Sequence, residues 1–499
     1  MNGRKTLAPQ SSGGKTACAI LLLFCVATAM TCPAQTFTSL VSFNKTNGWA
    51  PYLGSLVQGT DGNLYGTTAL AGNKNSGTVF RVSPDGVLTS IYSFCSQPRC
   101  ADGVAPNAGL VLAMDGNFYG ATPQGGQNSA GTVFRITAGG VLTTLYSFCS
   151  QPGCTDGNGS YAGLVQGTDG NFYGTSGAYG SNLGTVFKLT SGGKLTTLHT
   201  FNGADGSLPG GVLLQATDGN FYGTTPFGGA SSACGGFFMG CGTIFKITSG
   251  GTFTVLHNFL GGASGNRPQD GLIQGADGSL YGTALEGGTH HPSSCPWGCG
   301  TVFKITTSGT FTTIHNFDAT GSYPTSPLIL ATDGNYYGTT AAGGDSSGFC
   351  GFGGCGTVFA MTPAGALTTL HYFDSTDGMT PDAGLVQATN GILYGTTSTG
   401  GTSLACDFAP CGTIFSLDMG LGKFVETVPA SGKTGAKVII LGSNLTGATA
   451  VTFNGTAATF KIVSATEITT TVPPGATTGL VQVTKPAGTL SSNVAFRVR

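Results

Sequence analysis

The sequence has few charged residues and no helical pattern. Lys, Arg, Asp and Glu make up 8% of the 499 residues, and the basic and acidic totals of 20 and 21 nearly balance. No basic stripe of the kind that binds nucleic acid is present, so we expect no nucleic-acid partner. After residue 30 no apolar run is long enough to span a bilayer, and apolar residues do not recur at helical spacing.

Recognisable catalytic signatures are also missing. No nucleophile elbow joins a strand to a helix, and there is no His-Glu-Xaa-Xaa-His pair and no phosphate-binding loop. The sequence therefore favours a protein that is not an enzyme, and it predicts no cofactor and no metal. Two carboxylates facing each other across a channel would support glycoside chemistry, but the sequence does not select which two.

What the sequence does contain is a repeat. Variants of Asp-Gly-Asn-Xaa-Tyr-Gly recur seven times at steps of 49 to 59 residues. A fixed period of this size is typical of solenoids and propellers. The seven copies begin at Asp61, Asp115, Asp169, Asp218, Asp277, Asp333 and Asn390.

Each repeat contains four short β-rich runs, called a to d, separated by Gly-rich turns. Four antiparallel strands make a sheet that must stack on neighbours of its own kind, and radial stacking of such sheets gives a β-propeller. The d run is missing after the seventh repeat, and its match lies at residues 36–43. We therefore predict an all-β, seven-bladed β-propeller that the N-terminal strand closes; the alternative is an open β-solenoid.

The two ends of the chain differ from the repeats. Residues 1–34 combine basic residues with an apolar core at 17–30, which predicts a signal peptide that leaves Gln35 first. Acylation of Cys32 is a weaker alternative, because Met30 and Thr31 are not small. Residues 35–423 hold the seven repeats, and residues 424–499 carry alternating β runs that predict a small β-sandwich.

Both regions resemble known families. The repeats, with motifs such as Asp169-Gly170-Asn171-Phe172-Tyr173-Gly174 and Gly184-Thr185-Val186-Phe187, resemble the GloVer tandem repeats of secreted bacterial proteins. The C-terminal segment, with Val438-Ile439-Ile440-Leu441-Gly442 and Val451-Thr452-Phe453-Asn454-Gly455, is similar to IPT/TIG immunoglobulin-like domains. The resemblances imply fold and export, and neither implies an activity.

Twelve cysteines remain after the signal segment, and they form six close couples. In an exported chain, evenly paired cysteines predict disulfides, each contributing about 2 kcal/mol by loop closure. Zinc binding is the alternative, but the couples lie too far apart to combine. The predicted pairs are Cys95–Cys100, Cys149–Cys154, Cys234–Cys241, Cys295–Cys299, Cys350–Cys355 and Cys406–Cys411.

The b–c and d–a loops carry all the couples, and in an up-and-down sheet both lie on one face. Since function commonly resides on variable loops of a rigid scaffold, we predict that this face binds a ligand, although the bridges would also serve simply to brace long loops. An Asp/Asn-Gly pair recurs a few residues before strand a in five repeats, with Asn266 as a looser match in a sixth, and would bind a cation or sugar hydroxyls, or only form turns. The candidates are Asn47, Asp102, Asp156, Asp205, Asn266 and Asp377.

Aromatic residues in the same loops would stack on sugars, anchor a protein partner, or fill small cores. They are Trp49, Tyr52, Phe237, Phe238, Trp297, Phe349, Phe352 and Phe408. Four histidines, His199, His257, His315 and His371, share one position on the outermost strand. That strand lies too far from the axis for a metal ring, so we expect them to pack between blades.

Three functions fit these observations. The first is a monomeric, secreted or surface-associated binding and scaffold protein, with a polysaccharide or a cell-surface protein as ligand. The second is a propeller enzyme that acts on extracellular glycans, for which a buried carboxylate pair in the axial channel is the discriminating feature. The third is a purely structural role in a cell envelope.

Overall fold

The computed structural model describes residues 35–499 except 73, 178–182, 232, 235–239, 345–349, 351–352, 404 and 407–410. The predicted signal segment 1–34 and the aromatic residues Phe237, Phe238, Phe349, Phe352 and Phe408 lie outside the described residues. The described chain is almost entirely β-structure. Its helical elements are single 3-10 turns at Pro98–Cys100, Pro152–Cys154, Gly262–Ser264 and Leu445–Gly447.

Within the described residues, the first 28 strands form seven antiparallel sheets of four strands each, here numbered 1 to 7. In sheets 1 to 6 the strands are paired in chain order, as predicted. After β1 (Thr36–Ser42), the strands of sheets 1 to 3 are β2 (Val57–Gln58), β3 (Leu64–Thr68), β4 (Thr78–Val82), β5 (Leu88–Ser93), β6 (Val111–Leu112), β7 (Phe118–Thr122), β8 (Thr132–Ile136), β9 (Leu142–Ser147), β10 (Val165–Gln166), β11 (Phe172–Ser176), β12 (Thr185–Leu189) and β13 (Leu195–Thr200).

The later repeats follow the same order. The strands of sheets 4 to 6 are β14 (Leu214–Gln215), β15 (Phe221–Thr225), β16 (Thr243–Ile247), β17 (Phe253–Asn258), β18 (Ile273–Gln274), β19 (Leu280–Ala284), β20 (Thr301–Ile305), β21 (Phe311–Asn316), β22 (Ile329–Leu330), β23 (Tyr336–Thr340), β24 (Thr357–Met361) and β25 (Leu367–Tyr372). Sheet 7 contains β26 (Val386–Gln387), β27 (Leu393–Thr397), β28 (Thr413–Asp418) and the N-terminal β1.

The pairing of β1 with β28 confirms that residues 36–42 dock beside the last repeat. The two strands are antiparallel, with Thr38 opposite Ser416 and Ser42 opposite Thr413. A bulge lies between Ser39 and Val41. An equivalent register shift occurs where the third and fourth strands pair in the other six sheets, so β1 takes the place of a fourth strand in full.

The hydrophobic core is divided among the junctions between sheets. Each of seven clusters contains buried residues of two consecutive sheets, and one of them joins sheet 7 to sheet 1 through Phe43, Phe80 and Ile414. The order of packing therefore returns to its start, and sheets 1 to 7 form a closed ring. The Phe of each Gly-Thr-(Val/Ile)-Phe run is almost fully buried in these clusters.

Eight of the remaining ten strands form two further four-stranded sheets that share one core, built around Val438, Ile440, Val451, Phe453 and Phe496, and the other two strands form a parallel pair. We call this part the C-terminal sandwich. Its strands are β29 (Glu426–Val428), β30 (Ser431–Gly432), β31 (Lys437–Leu441), β32 (Ala450–Phe453), β33 (Thr456–Ala458), β34 (Phe460–Ile462), β35 (Glu467–Thr471), β36 (Val481–Lys485), β37 (Gly488–Ser491) and β38 (Arg497–Val498).

The C-terminal sandwich packs on the ring at the turns that join first and second strands. Ile439 and Leu441 belong to the cluster between sheets 1 and 2. Thr466 donates a hydrogen bond to the carbonyl of Thr60 at 2.7 Å, and the Phe424 N–H donates to Thr389 at 3.2 Å. These turns lie opposite the disulfide-bearing loops, so one end of the ring axis is covered.

Candidate functional site

The repeated Asp-Gly-Asn-Xaa-Tyr-Gly phrase makes a self-contained turn. In the third repeat Asp169 accepts hydrogen bonds from the Asn171 backbone and side chain and from the Tyr173 hydroxyl, at 2.8 to 3.1 Å. Burial, followed by the Asp169 hydrogen bond, raises the pKa of Tyr173 to about 12. The phrase therefore serves structure, and the site has to be sought elsewhere.

The disulfide loops lie on one face, as predicted. All six bridges form. In six sheets an isolated bridge of backbone hydrogen bonds ties the segment before the first strand to the loop after the second strand, for example Val104 with Gln124 and Met379 with Thr399. The two kinds of loop are therefore in contact on the same face, which we call the disulfide face.

A sharp bend leads the chain from this face into each first strand. It contains a residue of positive φ, non-Gly in six of the seven sheets, and in those six the next residue is Pro. Arg267 in sheet 5 has a φ of 57°, and Thr380 in sheet 7 has a φ of 54°. Such conformations persist only where the surroundings hold them.

In four sheets a disulfide loop holds this bend. The N–H of the positive-φ residue donates to the carbonyl of the second cysteine of the preceding sheet's bridge. Arg267 thus donates to Cys241 at 3.0 Å, and Thr380 donates to Cys355 at 2.9 Å. Each bridge therefore supports the segment that enters the middle of the ring one sheet further on.

Those entering segments line a cavity on the ring axis, which we call the axial cavity. Its volume is about 260 Å³, and sheets 1 to 6 and the C-terminal sandwich contribute to its wall. Most of the wall is aliphatic, and the sandwich supplies one end. The lining residues are Leu53, Ser55, Leu56, Val57, Gln58, Ala108, Gly109, Leu110, Val111, Leu112, Tyr161, Ala162, Gly163, Leu164, Gly210, Val212, Asp270, Pro327, Glu426, Val428 and Leu441.

Two carboxyl groups face this aliphatic wall. Asp270 comes from sheet 5, where its carbonyl accepts a hydrogen bond from Thr224 at 2.8 Å, and Glu426 comes from the first strand of the sandwich. The Asp270 Oδ2 atom is buried and has no hydrogen-bond partner among the described residues. Burial raises the pKa of Glu426 to about 7. Burial and then the charge of Asp382 hold the pKa of Asp270 well above its usual range.

Asp382 is the third acid of this region. It occupies sheet 7, one position earlier in its repeat than Asp270, and is 7% exposed. Thr325 and Ser398 donate to its two oxygens at 3.2 and 3.0 Å. Burial raises the pKa of Asp382 to about 6, although these hydrogen bonds act in the opposite direction.

The acidic candidates predicted at the rim are bound within their own loops. Asp102 accepts from the Tyr92 hydroxyl and the Ser96 N–H at 2.8 and 2.9 Å, and Asp156 is held in the same way in the next sheet. Asp205 contacts His199 at 3.0 Å, and Asp377 contacts His371 at 2.8 Å. A ligand role for these residues stays a prediction, and their present role is to fix the loop.

The amide and tryptophan candidates are dispersed. The Asn47 side chain accepts from the Asn44 N–H at 2.7 Å, and the Asn266 side chain donates to Glu286 at 3.0 Å. Trp49 is partly buried against the cluster between sheets 7 and 1. Trp297 is 73% exposed beside the Cys295–Cys299 bridge. The structure does not bring these four residues into one site.

The repeated histidines pack between sheets, which confirms that prediction. His199 stacks on Phe253 of sheet 4 with ring centroids 3.7 Å apart, and His257 stacks on Phe311 of sheet 5 at 4.0 Å. Burial lowers the pKa of His257. Among the described residues no group of three or more His, Cys, Asp or Glu side chains is arranged to hold a metal ion.

Sequence reasoning missed the three acids near the axis. A usable signal was present: Asp270 directly precedes the Gly-Leu-Ile run, where two other repeats have Ala108 and Ala162, and Asp382 stands one position earlier in its repeat, where the first repeat has Leu53. Glu426 gave no such signal, since it lies in a segment without the repeat. In the part of the chain that the structure covers, no helix combines the length and hydropathy that crossing a bilayer requires.

Comparison with known proteins places the chain in a class of tandem-repeat, all-β proteins. The chain belongs to the Gloeobacter/Verrucomicrobia repeat family, whose model matches residues 26–238 and 231–464. This match confirms the resemblance to GloVer repeats. A comparison with curated proteins gave no match.

Solved structures with related shape are distant. A putative gluconolactonase has a TM-score of 0.39 and 11% identity, with 78% of this chain and 94% of that chain covered. A gluconolactonase from Xanthomonas campestris gives 0.38 and 13%, with 62% and 88% covered. A PQQ-bound aldose sugar dehydrogenase from Streptomyces coelicolor gives 0.38 and 12%, with 77% and 98% covered. Since these TM-scores are below 0.5, no chemistry is inferred from them.

Proposed function

We propose that this protein is an exported binding protein that receives a projecting group of its ligand in the axial cavity. In this proposal sheets 1 to 7 are the blades of a seven-bladed β-propeller at residues 35–423. The sandwich at 424–499 is an IPT/TIG immunoglobulin-like domain that closes one end. The ligand approaches from the disulfide face and is a cell-surface protein or a polysaccharide.

The observation that carries the proposal is the axial cavity itself. Ligand sites are concave, mostly apolar and furnished with a few polar groups that fix orientation. The axial cavity has an aliphatic wall and two inward carboxyl groups, Asp270 and Glu426. Leaving the buried Oδ2 atom of Asp270 without a hydrogen-bond donor among the described residues is unfavourable for stability, so its presence favours a functional role.

The disulfide face supports the same reading. Cys241 holds the bend that precedes Asp270, so its bridge fixes the shape of the cavity wall and not only the outer loop. Six disulfides are also compatible with an extracellular location. The signal segment 1–34 would supply export.

A substitution that fills the cavity without disturbing the backbone tests this proposal. Gly210 lines the cavity, and a Cβ built on it comes no closer than 3.5 Å to its nearest neighbour. Gly210→Phe should therefore fold normally and block the cavity. The matched control is Gly250→Phe, at an exposed turn of the same sheet where an added Cβ comes no closer than 3.8 Å.

Wild type and both variants would be tested on a glycan array and in pull-downs from bacterial cell surfaces. We expect Gly210→Phe to lose capture of the ligand and Gly250→Phe to keep it. Equal capture by all three proteins would show that the ligand binds outside the cavity and would overturn the proposal. A ligand found only on the array would identify a polysaccharide, and one found only in the pull-down would identify a protein.

A second candidate function is cleavage of extracellular glycans. One observation favours it: Asp382 is buried, Asp270 is partly buried, and the charge of Asp382 helps to raise the pKa of Asp270, as in a paired acid and base. Asp382 would act as the ionised member because two hydroxyls donate to it, and Asp270 would be the protonated acid. However, Asp382 does not line the cavity.

Glycan turnover by wild type, with loss of product in both Asp270→Asn and Asp382→Asn, would establish this second function. An active Asp382→Asn variant would exclude the pair as its catalytic machinery.

A further inference from the structure

The charged side chains that line the axial cavity are all acidic. Its described lining residues include the acids Asp270 and Glu426 but no Lys, Arg or His. Asp382 lies behind Asp270 and adds to the negative potential there, since its charge raises the pKa of Asp270. An ionised carboxylate in an apolar surrounding is stable only when a partner of opposite charge or hydrogen-bond donors accompany it.

That partner is absent for one defined atom. The Oδ2 of Asp270 is buried and accepts no hydrogen bond from the described residues, whereas both oxygens of Asp382 accept one from Thr325 and Ser398. A buried acceptor without a donor is rare and calls for an explanation. Asp270 as a whole is only partly buried and lines the cavity, so rotation of its carboxyl group would bring this oxygen to a ligand group that supplies the donor.

The rest of the wall restricts what can carry that donor. Leu53, Leu56, Val57, Leu110, Leu164 and Val212 present aliphatic surface. Such surface matches methylene groups. This aliphatic surface offers no hydrogen bonds to the hydroxyl groups of a sugar ring, and the polar side chains of the lining besides the two acids are Ser55, Gln58 and Tyr161. A lysine side chain has a flexible four-carbon stem that ends in a compact ammonium group. Its stem matches the aliphatic wall, and its ammonium group matches the two carboxyl groups.

We propose that the axial cavity binds a primary ammonium group carried on an unbranched alkyl chain, with Asp270 and Glu426 as its carboxylate partners. This inference rests on the proposed binding function of the same cavity and names the chemical class of the group that enters it. The group would belong either to a lysine side chain of a protein partner or to a free alkylamine. The sandwich then contributes directly to recognition through Glu426.

The first test compares two probes of the same shape by isothermal titration calorimetry at pH 7. We expect pentylammonium to bind at least tenfold more tightly than 1-pentanol, because only the former pairs with carboxylates. Asp270→Asn and Glu426→Gln should each weaken pentylammonium binding at least tenfold and leave pentanol unchanged. Asp85→Asn, at an exposed turn, is the control and should change neither. Circular dichroism would establish that the variants are folded.

A second readout is proton release. The cavity acids are partly protonated before binding, and a cation would ionise them, so the binding enthalpy should vary with the ionisation enthalpy of the buffer. Pentanol should show no such variation. Equal affinity for the two probes, or pentylammonium binding that survives both substitutions unchanged, would overturn the inference.

Two further arms separate the sources of the ammonium group. Binding of the peptide Gly-Lys-Gly, abolished by Nε-acetylation, supports a protein lysine; binding of pentylammonium without the peptide supports a free amine. Failure of every ammonium probe, with ligand capture still lost in Gly210→Phe, overturns the ammonium inference and leaves the binding function standing. If capture is insensitive to Gly210→Phe as well, both are overturned.

Discussion

A single hydroxyl pair joins the second and third strands at the disulfide end of most sheets. Thr225 and Thr243 of sheet 4 lie 2.8 Å apart, and four other sheets have the same threonine pair, while Ser176 replaces the first threonine in sheet 3. Sheet 5 has Ala284 at this position, and its Thr301 hydroxyl is buried with no partner among the residues that the structure describes. Sheet 5 therefore lacks the hydroxyl pair that the other six sheets have.

Restoring that bond should stabilise the protein. We expect Ala284→Thr to raise the free energy of unfolding by about 1 kcal/mol, because it gives the buried Thr301 hydroxyl a partner. The opposite change, Thr225→Ala, should lower it by about 1–3 kcal/mol, because the buried Thr243 N–H loses the Thr225 hydroxyl as its acceptor. Guanidinium unfolding of both variants with the disulfides intact would measure this. Destabilisation by Ala284→Thr would mean that sheet 5 has no room for the hydroxyl.

At the residue scale, the sequence showed which residues recur in the repeats but not which of them pair with each other. The column of His and Tyr on the fourth strand and the column of Asp in the following loop were both visible in the repeats. Their pairing, as in Tyr92 with Asp102 and His371 with Asp377, was not, because it depends on how the loop folds back. In both pairs, the loop aspartate that the sequence suggests is available for a ligand is already bound to a neighbouring side chain.

At the scale of elements, a glutamine at the end of the first strand links most neighbouring sheets. Five sheets have it, and its amide oxygen accepts from a backbone N–H in the preceding sheet. Sheets 2 and 6 have Leu112 and Leu330 instead, and Ile439 and Leu441 of the sandwich join the core at Leu112. Since the cluster around Leu330 contains no sandwich residue, the exchange of Gln for Leu did not by itself predict where the sandwich docks.

Of these glutamines, Gln58 at the closing junction between sheets 7 and 1 should contribute most to stability. Gln58 exchanges two hydrogen bonds with Thr389 of sheet 7, at 2.8 and 3.0 Å, and Thr389 is fully buried. Gln58→Leu should therefore lower the free energy of unfolding by about 1–3 kcal/mol, since a buried N–H loses its partner. Gln274→Leu is the matched control and should cost less, because Thr217 is exposed and water replaces the bond. Equal losses would contradict this role of the closing junction.

The free energy of unfolding should depend on pH through Glu426 of the sandwich. Its folded pKa, about 7, lies above the ordinary value of 4.5, so folding favours the protonated form and stability falls as pH rises from about 4.5 to 7. Glu426→Gln removes this loss. We expect the variant to match wild type near pH 4 and to exceed it increasingly up to pH 7, with a constant difference above that.

Urea unfolding of wild type and Glu426→Gln across this range would measure the difference. An offset that is the same at every pH would mean that Glu426 is solvated in the folded protein.

At the scale of the whole molecule, the period and the displaced fourth strand predicted the number, order and closure of the sheets. They did so because each sheet depends on its neighbours for a core, which forces every repeat to carry the same pattern. The axial cavity could not be predicted in this way. Asp270 and Glu426 meet there only because the ring closes and a non-repeating segment folds over its end, and neither event leaves a local pattern.

The account depends on closure of the ring by β1, and hydrogen–deuterium exchange of the processed protein tests it most directly. We predict that the amides of β1 (Thr36–Ser42) that bond to β28 are protected to the same degree as those of β28 itself. Both strands should lose protection at the same denaturant concentration, because they belong to one sheet. Rapid exchange of residues 36–42, at the rate of an unstructured peptide while the other sheets stay protected, would contradict the account.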